Sequence, residues 1–132
     1  MILLKTSGKT IGKVVEEQKH ALRVAPRVSR GELILISQTE DSLRPRELPV
    51  QYVMTFVRCY PDRSGESLRL WGKRWPYIIQ GENCRRLKRP FRMSEMAVSG
   101  KTYGRGFTLW SVDPEDEAYL EKHGYLENIA EP

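Results

Sequence analysis

One segment of the chain brings aromatic and cationic residues close together. Trp71 and Trp75 are four residues apart, Lys73 and Arg74 lie between them, and Tyr77 follows. Aromatic rings can stack on a nucleic-acid base while nearby cations hold its phosphates. Trp and Tyr are also common core residues that carry one polar atom. The segment therefore predicts either a base-stacking site or a part of the core.

A second cluster of cations follows between Arg85 and Arg92. Cations at this density are typical of a stretch that contacts phosphates, whose contribution to affinity falls as salt rises. The alternative is a solvated surface. The candidate phosphate-binding residues of both segments and of a later loop are Lys73, Arg74, Arg85, Arg86, Lys88, Arg89, Arg92 and Arg105.

Two short motifs resemble the end of a phosphate-binding loop. They are Ser7-Gly8-Lys9-Thr10 and Ser99-Gly100-Lys101-Thr102. The full motif needs a glycine at the positions of Leu3 and Glu95, so both motifs are incomplete. Each is interpreted as a turn, and nucleotide hydrolysis is not predicted.

Histidine, cysteine and carboxylate residues give no recognisable reactive pattern. His20, His123, Cys59 and Cys84 lack the spacing of a zinc site, and neither cysteine lies in a nucleophile motif. The acidic cluster at 115–117 is explained by a helix start. We therefore expect no metal, no cofactor and no catalytic residue.

Length and charge favour one basic globular domain spanning residues 1–132. The chain is 39% apolar and 30% charged, which is typical of a folded protein. Of its 22 cations and 17 acids, one cation and seven acids lie from Asp113 onward, so residues 1–112 carry 21 cations against 10 acids. A basic body of this kind favours a polyanion as its partner.

The chain has no feature that predicts secretion or a membrane partner. Charge interrupts the apolar start at Lys5, and no apolar run approaches the roughly 20 residues that span a bilayer. We expect a cytoplasmic protein whose two cysteines, Cys59 and Cys84, are reduced.

Hydrophobic periodicity predicts a helix, about five strands and a second helix. Asp113 and Pro114 are typical of the start of that second helix. Short strands without a βα rhythm indicate an α+β fold, a small curved β-sheet or barrel of about five to six strands flanked by helices. The predicted elements are a helix at 11–24 ended by Pro26, strands at 33–36, 50–60, 68–71, 75–79 and 107–112, and a helix from 113 to about 123.

The order of three segments resembles the PUA-like superfamily, particularly EVE domains and their YTH relatives. These segments are Gly31–Gln38, Val50–Tyr60 and Trp75–Ile79, and the likeness covers roughly residues 10–122. The resemblance implies a compact β-barrel with helices outside, which binds RNA or DNA and can hold a modified base in an aromatic cage. It also implies an effector protein as a candidate partner, because EVE-like modules occur in modification-dependent restriction systems.

The resemblance also implies a base pocket. Ser37 and Gln38 would lie at its rim, Trp71 or Trp75 would form a stacking wall, and the segment 103–110 would close the opposite side. The three-aromatic spacing of the methyladenine readers is absent. The candidate pocket residues are Ser37, Gln38, Trp71, Trp75, Tyr103, Phe107 and Trp110.

The leading hypothesis is a non-catalytic module that binds DNA or RNA and reads an extruded, modified or unmodified base. Two alternatives stay open. An enzyme acting on nucleotides or RNA would need an acid, base or nucleophile with a perturbed pKa in the same pocket. A small-molecule or protein-interaction domain would be favoured if the protein bound no nucleic acid at low salt.

Overall fold

Six strands form one mixed sheet in the computed structural model, which describes residues 1–40, 42–103 and 108–127. Helices flank this curved sheet, so the α+β prediction is confirmed. The strands are β1 (Ile2–Ser7), β2 (Lys19–Leu22), β3 (Leu33–Thr39), β4 (Pro49–Pro61), β5 (Tyr77–Arg92) and β6 (Leu109–Ser111). The helices are α1 (Ile11–Glu17), α2 (Glu66–Trp71), α3 (Met93–Met96) and α4 (Pro114–Lys122), with a 3₁₀ helix at Pro45–Glu47.

The strand order is β2-β5-β4-β3-β1-β6. β1 and β3 are parallel, and the other neighbours are antiparallel. β2 and β6 are the edges of the sheet among the described residues. The barrel alternative is therefore wrong, because the sheet is curved but no strand pairing among the described residues closes it.

Both faces of the sheet are covered because apolar side chains alternate between them. In β1, Leu3 and Leu4 pack into two different clusters. We call these the α4 core, to which Leu120 of α4 belongs, and the α1 core, to which Val14 of α1 belongs. A strand buried on both faces has a continuous apolar sequence, as at the start of this chain.

The amphipathic pattern at 11–24 is only partly helical, so the single predicted helix is wrong. α1 ends at Glu17, and Gln18 takes a left-handed conformation with φ of 56°. The side-chain oxygen of Gln18 accepts a hydrogen bond from the Cys84 amide at 2.7 Å. The chain then pairs with β5 as β2, which buries Leu22 in the α1 core.

The predicted strand at 68–71 is a helix, α2. The carboxylate of Asp62 accepts hydrogen bonds from the amides of residues 65–67 at 2.9–3.1 Å, which satisfies the free N–H groups at the helix start. Gly72 ends the helix with φ of 75° and donates to the Leu68 carbonyl. The glycine is required there because its backbone is left-handed.

The remaining strand predictions are closer to the structure. The strands expected at 33–36 and 50–60 are confirmed as β3 and β4. The strand expected at 75–79 begins at Tyr77 and extends to Arg92, so the cationic segment belongs to β5. β6 lies within the strand expected at 107–112, although Phe107 is outside the described residues.

The start of α4 is confirmed. Asp113 caps the helix by accepting a hydrogen bond from the Glu115 amide at 3.0 Å, and Pro114 is the first helical residue. The backbone turns at Gly124, which has φ of 69°. The acidic first turn complements the helix dipole.

A buried carboxylate connects α4 to the loop between α3 and β6. Asp116 accepts hydrogen bonds from the Ser99 amide at 2.8 Å, the Ser99 hydroxyl at 2.7 Å and the Tyr103 hydroxyl at 2.6 Å. Burial raises the pKa of Asp116, but hydrogen bonds from Tyr103 and Ser99 outweigh burial and hold that pKa below its usual value. The charged carboxylate therefore stabilises the folded state at neutral pH.

We expect Asp116→Ala to lower the free energy of unfolding by about 3 kcal/mol, because it leaves buried donors without an acceptor. Asp113→Ala, on the same helix turn, should cost only about 1 kcal/mol, the usual value of a helix cap. Urea denaturation at pH 7 measures both. Equal losses for the two variants would contradict the role given to Asp116.

Candidate functional site

The connection between β4 and β5 carries both candidate tryptophans. Pro61 and Tyr77 pair at its base, and the Asp62 amide donates to the Pro76 carbonyl at 2.9 Å. Trp71 is the last residue of α2 within this connection. The connection therefore holds the aromatic residues of the sequence pattern on a closed backbone loop.

A cavity of about 250 Å³ lies where the curled sheet brings β1 and β2 together. Pockets for drug-sized ligands measure about 300–1,000 Å³, so this cavity suits one small planar group. Its walls come from the end of β1 and the following turn, from β2 and from the β4–β5 connection. The lining residues are Lys5, Thr6, Ser7, Thr10, His20, Ala21, Trp71, Lys73, Trp75 and Thr108.

Helix α2 is fixed against β2 by an ion pair. The Lys19 ammonium contacts the Glu66 carboxylate at 2.7 Å, and the Tyr60 hydroxyl donates to the other carboxylate oxygen at 2.7 Å. Burial disfavours the charged form of Glu66, but hydrogen bonds from Lys19 and Tyr60 lower its pKa overall. These contacts hold the end of α2, and with it Trp71, beside the cavity.

Trp75 is positioned through the same helix. Its amide donates to the Ser67 hydroxyl at 2.9 Å, and that hydroxyl donates to the carboxylate of Asp62. Neither Trp71 nor Trp75 belongs to the described parts of the α1 core or the α4 core. The two rings are thus available as cavity walls rather than as packing for the sheet.

Positive charge surrounds the aromatic walls. The Lys73 ammonium lies 4.8 Å from the centre of the Trp75 ring, and the Arg23 guanidinium lies 5.7 Å from it. Lys5 also lines the cavity, and burial lowers the pKa of its ammonium group. The described lining includes no carboxylate, so it favours an anionic or electron-rich ligand.

His20 lines the cavity and its ring contacts the ring of Trp71. The two rings meet edge to face, with centres 5.9 Å apart and planes at 67°. Burial lowers the pKa of His20 to about 4, although a hydrogen bond with the Lys5 backbone opposes this shift. His20 is therefore neutral at pH 7.

Three hydroxyl groups line the wall formed by β1 and its turn. The Thr10 hydroxyl pairs with the hydroxyls of Thr6 and Ser7, the second at 2.9 Å. Hydroxyl groups both donate and accept, and their hydrogens rotate. This wall can therefore offer either kind of hydrogen bond to a ligand.

The structure brings together some of the predicted pocket residues and not others. Trp71 and Trp75 line one cavity. Ser37 lies elsewhere, fully buried, with its hydroxyl donating to the Pro49 carbonyl at 2.8 Å. The Gln38 side chain lies against Gly8 in the turn after β1. A Cβ added to that glycine would lie 3.0 Å from the Gln38 amide nitrogen. The rim position of Gln38 stays a prediction.

The segment expected to close the pocket is divided. Tyr103 belongs to the α4 core and borders a separate cavity of about 150 Å³. Trp110 packs partly against the α4 core, with the Lys5 ammonium 5.4 Å from its ring centre. Phe107 lies outside the described residues, and Thr108 is the part of this segment that lines the larger cavity.

The predicted phosphate-binding residues also separate into two groups. Lys73 lines the cavity, and Arg74 is exposed beside it. The cluster on β5 begins eight residues after Tyr77, or about 25 Å along the strand. In this cluster Arg86, Lys88 and Arg92 are exposed. Arg85 donates to the Asn83 carbonyl, and Arg89 contacts the His123 carbonyl and the Tyr125 ring. Arg105 lies outside the described residues.

Sequence reasoning missed several cavity residues. His20 was assigned to a helix, and Lys5, Thr6 and Thr10 belong to a strand and turn that the pattern did not reveal. Only the pairing of β2 with β5 places His20 opposite Ile79 and beside α2. A single sequence carries no local signal for that long-range pairing.

Comparison with models of known protein families finds no match, and comparison with curated proteins finds none either. The PUA-like resemblance therefore stays a prediction. Across residues 1–40, 42–103 and 108–127, no helix is long and apolar enough to span a membrane. The same residues contain no group of three or more His, Cys, Asp or Glu side chains that could hold a metal ion.

We expect His20 to make the protein less stable as the pH falls from 6.5 to 4. The unfolded chain binds a proton at about pH 6.5, whereas the folded protein binds it only near pH 4. Stability from this residue is thus present above pH 6.5 and lost on acidification, by about 3 kcal/mol in total.

Denaturation at several pH values measures this effect. In His20→Phe the slope of unfolding free energy between pH 4 and 6.5 should be smaller than in wild type. Trp71→Phe changes the same cavity without removing an ionisable group, so its slope should equal that of wild type. An unchanged slope in His20→Phe would rule out a buried neutral histidine.

Proposed function

We propose that this protein is a nucleic-acid-binding module of PUA-like type, which takes one base of DNA or RNA into the cavity beside Trp71 and Trp75. The supporting observation is a single cavity lined by two tryptophans and two lysines, with no carboxylate in its described lining. The rings suit the face of a base, and the lysines suit the phosphates beside it.

The size of the cavity supports one base rather than a longer ligand. A volume of about 250 Å³ suits one base better than a stack of several. The base must therefore unstack from the neighbouring bases and enter the cavity alone. Proteins that recognise a modified base also extrude that base from the stack. A natural or a modified base fits this proposal equally.

The cellular setting is part of the same proposal. Cys59 and Cys84 are free thiols, which is typical of a reducing compartment such as the cytoplasm. The cavity is a recognition site, so a separate effector protein would act on the bound nucleic acid.

An enzyme acting on nucleotides or RNA is a second candidate because His20 is a titratable group with a perturbed pKa in the cavity. A general base works best when its pKa lies near the working pH. With a pKa of about 4, His20 is a weak base at neutral pH. The binding proposal therefore has the stronger support, and mass analysis of a bound oligonucleotide after incubation tests the alternative.

We expect Trp71→Ala and Trp75→Ala each to weaken binding of a single-stranded oligonucleotide by about 1–3 kcal/mol, because a stacking wall is lost. Both residues lie outside the described cores, so the variants should keep their fold. Trp110→Ala is the matched control, because Trp110 packs partly against the α4 core. It should lower stability and leave the affinity of the folded protein close to that of wild type.

Fluorescence anisotropy titration and circular dichroism measure these two properties. The aromatic-cavity proposal fails if both cavity variants fold and bind like wild type. It also fails if both variants unfold, because the rings would then be core residues.

We expect cations at the cavity to contribute more to binding than those on β5. Replacing Arg23, Lys73 and Arg74 by Gln should weaken binding across sequences and lower the slope of log affinity against log salt by about one per lost phosphate contact. Replacing Arg86, Lys88 and Arg92 by Gln removes the same charge from exposed positions farther along β5. Salt titrations compare the two triple variants, and a larger effect of the β5 set would place the phosphate track there instead.

A further inference from the structure

A second cavity, of about 150 Å³, lies where the 3₁₀ helix, α3 and the loop between α3 and β6 meet. It has no described lining residue in common with the larger cavity. Pockets for drug-sized ligands begin at about 300 Å³, so this cavity has room only for a group of a few heavy atoms. Its polar lining residues are Arg46, Ser94, Gly100, Lys101, Thr102 and Tyr103.

One wall is formed by the motif Ser99-Gly100-Lys101-Thr102, which resembles the end of a phosphate-binding loop. The backbone turns at Gly100, which has φ of 85° and donates from its amide to the Ala97 carbonyl at 3.1 Å. The Ser99 hydroxyl accepts from the Lys101 amide at 3.2 Å and donates to Asp116. The motif is therefore fixed to α4, and its last three residues line the cavity.

Two cations lie in the walls of this cavity. Arg46 is exposed on the 3₁₀ helix and has no ion-pair partner among the described residues. The Lys101 ammonium donates to the Ser111 carbonyl at 2.5 Å and lies 5.2 Å from the centre of the Tyr103 ring. An ammonium group has three N–H donors, so Lys101 keeps donors for a ligand after this contact.

No carboxylate in the described lining balances these cations. Glu47 of the 3₁₀ helix and Glu95 of α3 do not line the cavity, and Glu95 already accepts from the Arg92 amide at 2.6 Å. Asp116 lies behind the wall, where its oxygens accept from Ser99 and Tyr103. The excess of positive charge in the lining therefore favours an anion.

Hydroxyl groups complete the polar lining. Ser94 and Thr102 both line the cavity, and their hydroxyls have no hydrogen-bond partner among the described residues. A hydroxyl can donate to an anionic oxygen, and a guanidinium group offers several N–H donors in one plane. The lining thus supplies donors from four side chains to one small group.

We propose that this cavity binds a terminal phosphate group, with Arg46 and Lys101 balancing its charge and the hydroxyls of Ser94 and Thr102 donating to its oxygens. A terminal phosphate carries about −1.5 to −2 charges at pH 7 and three acceptor oxygens, whereas a phosphodiester carries one charge. Two cations match the terminal group better. The ligand class comprises inorganic phosphate, a nucleotide phosphate and the phosphorylated end of a nucleic-acid strand.

Isothermal titration calorimetry of the full chain, at an ionic strength held constant with chloride, compares methyl phosphate with dimethyl phosphate. At pH 7.5 the monoester should bind about tenfold more tightly or better, because it has more charge and a third free oxygen. Inorganic phosphate should bind like the monoester. Equal affinities for the two esters would overturn the proposal.

The pH dependence of binding gives a readout that a purely structural role would not change. The affinity for methyl phosphate should fall severalfold between pH 7.5 and pH 5.5, because the second pKa of a terminal phosphate is about 6. The described lining contains no histidine and no carboxylate, so the proton is taken up by the ligand. An affinity that is the same at both pH values would count against a dianionic ligand and overturn the proposal.

Variants assign binding to the lining. Arg46→Gln and Lys101→Gln should each weaken methyl phosphate binding about tenfold or more, the usual effect of losing a hydrogen bond to a charged group. Arg44→Gln is the matched control, because Arg44 is exposed two residues earlier and does not line the cavity. It removes the same charge and should leave the affinity close to that of wild type.

Circular dichroism checks that each variant is folded. Arg46 has no described side-chain contact to lose, so Arg46→Gln tests the site even if Lys101→Gln unfolds without its contact to Ser111. Equal losses of affinity in Arg44→Gln and Arg46→Gln would mean that only general charge acts, and the site would be wrong.

Oligonucleotides of one sequence with a 5′-phosphate, with a 3′-phosphate or with neither distinguish the sources of the ligand. A gain in affinity from one terminal phosphate, removed by Arg46→Gln, identifies a strand end. If neither strand gains while a free nucleotide binds like methyl phosphate, the ligand is a small phosphate compound. Both results support the site. Failure of inorganic phosphate and methyl phosphate to bind with a Kd below about 10 mM would overturn it.

This inference is independent of the base-binding cavity. Trp75→Ala should leave the affinity for methyl phosphate unchanged, because Trp75 lines only the larger of the two cavities. If methyl phosphate binds through Arg46 but no oligonucleotide binds, the phosphate site stands and nucleic-acid binding is wrong. If oligonucleotides bind through Trp75 but methyl phosphate does not bind, the phosphate site is wrong and base binding stands.

Discussion

The parallel pairing of β1 with β3 is the constraint on which the cores and the cavity depend. It runs from Ile2 opposite Ile34 to Ser7 opposite Thr39 and buries β1 on both faces. α1 then occupies most of the short connection to β2, and its seven residues advance the chain only about 10 Å. β2 must therefore lie near β1 although it pairs with β5 at the far end of the strand order. The sheet can satisfy both conditions only by curling, and the cavity occupies the gap that remains between β1 and β2.

The polar groups around this gap are satisfied unevenly. In the β4–β5 connection, Asp62 accepts from three amides and a hydroxyl, and Glu66 binds both Lys19 and Tyr60. By contrast, His20 and Trp71 each keep a buried nitrogen without a described partner. Poor packing does not explain the difference, because the same connection pairs its other groups closely. Natural folds break the rule of complete hydrogen bonding chiefly at functional sites, and this contrast makes the region a candidate site.

The sequence predicts those elements whose signal is local. The apolar strand at 33–36, the β-branched run at 50–60 and the Asp113-Pro114 helix start all lie where the pattern places them. The helix expected at 11–24 fails because residues 19–22 gain more by pairing with β5 than by continuing a helix. Tertiary context of this kind overrides helix propensity, which is a weak preference. The apolar run of β1 stops after Leu4, so it is too short for its period to be read.

The same distinction applies to the candidate site. The two tryptophans stand out in sequence because their spacing and neighbouring cations are local. His20 and Lys5 do not, since they meet only after the sheet curls. Aromatic walls are therefore predictable from the chain, whereas the polar atoms that would distinguish one base from another depend on long-range register.

Under the proposed function, the energy of base extrusion determines which nucleic acid the cavity can bind. Removing a base from a duplex costs a few kcal/mol, and stacking on one aromatic wall returns about 1–3 kcal/mol. Hydrogen bonds from the cavity wall would add little beyond those that a base already makes with water or with its pair. Affinity for a duplex would thus depend on phosphate contacts, which are lost as salt rises. A single strand, a mismatch or a damaged pair avoids most of the extrusion cost, so the cavity is better matched to an unpaired base than to one within a regular duplex.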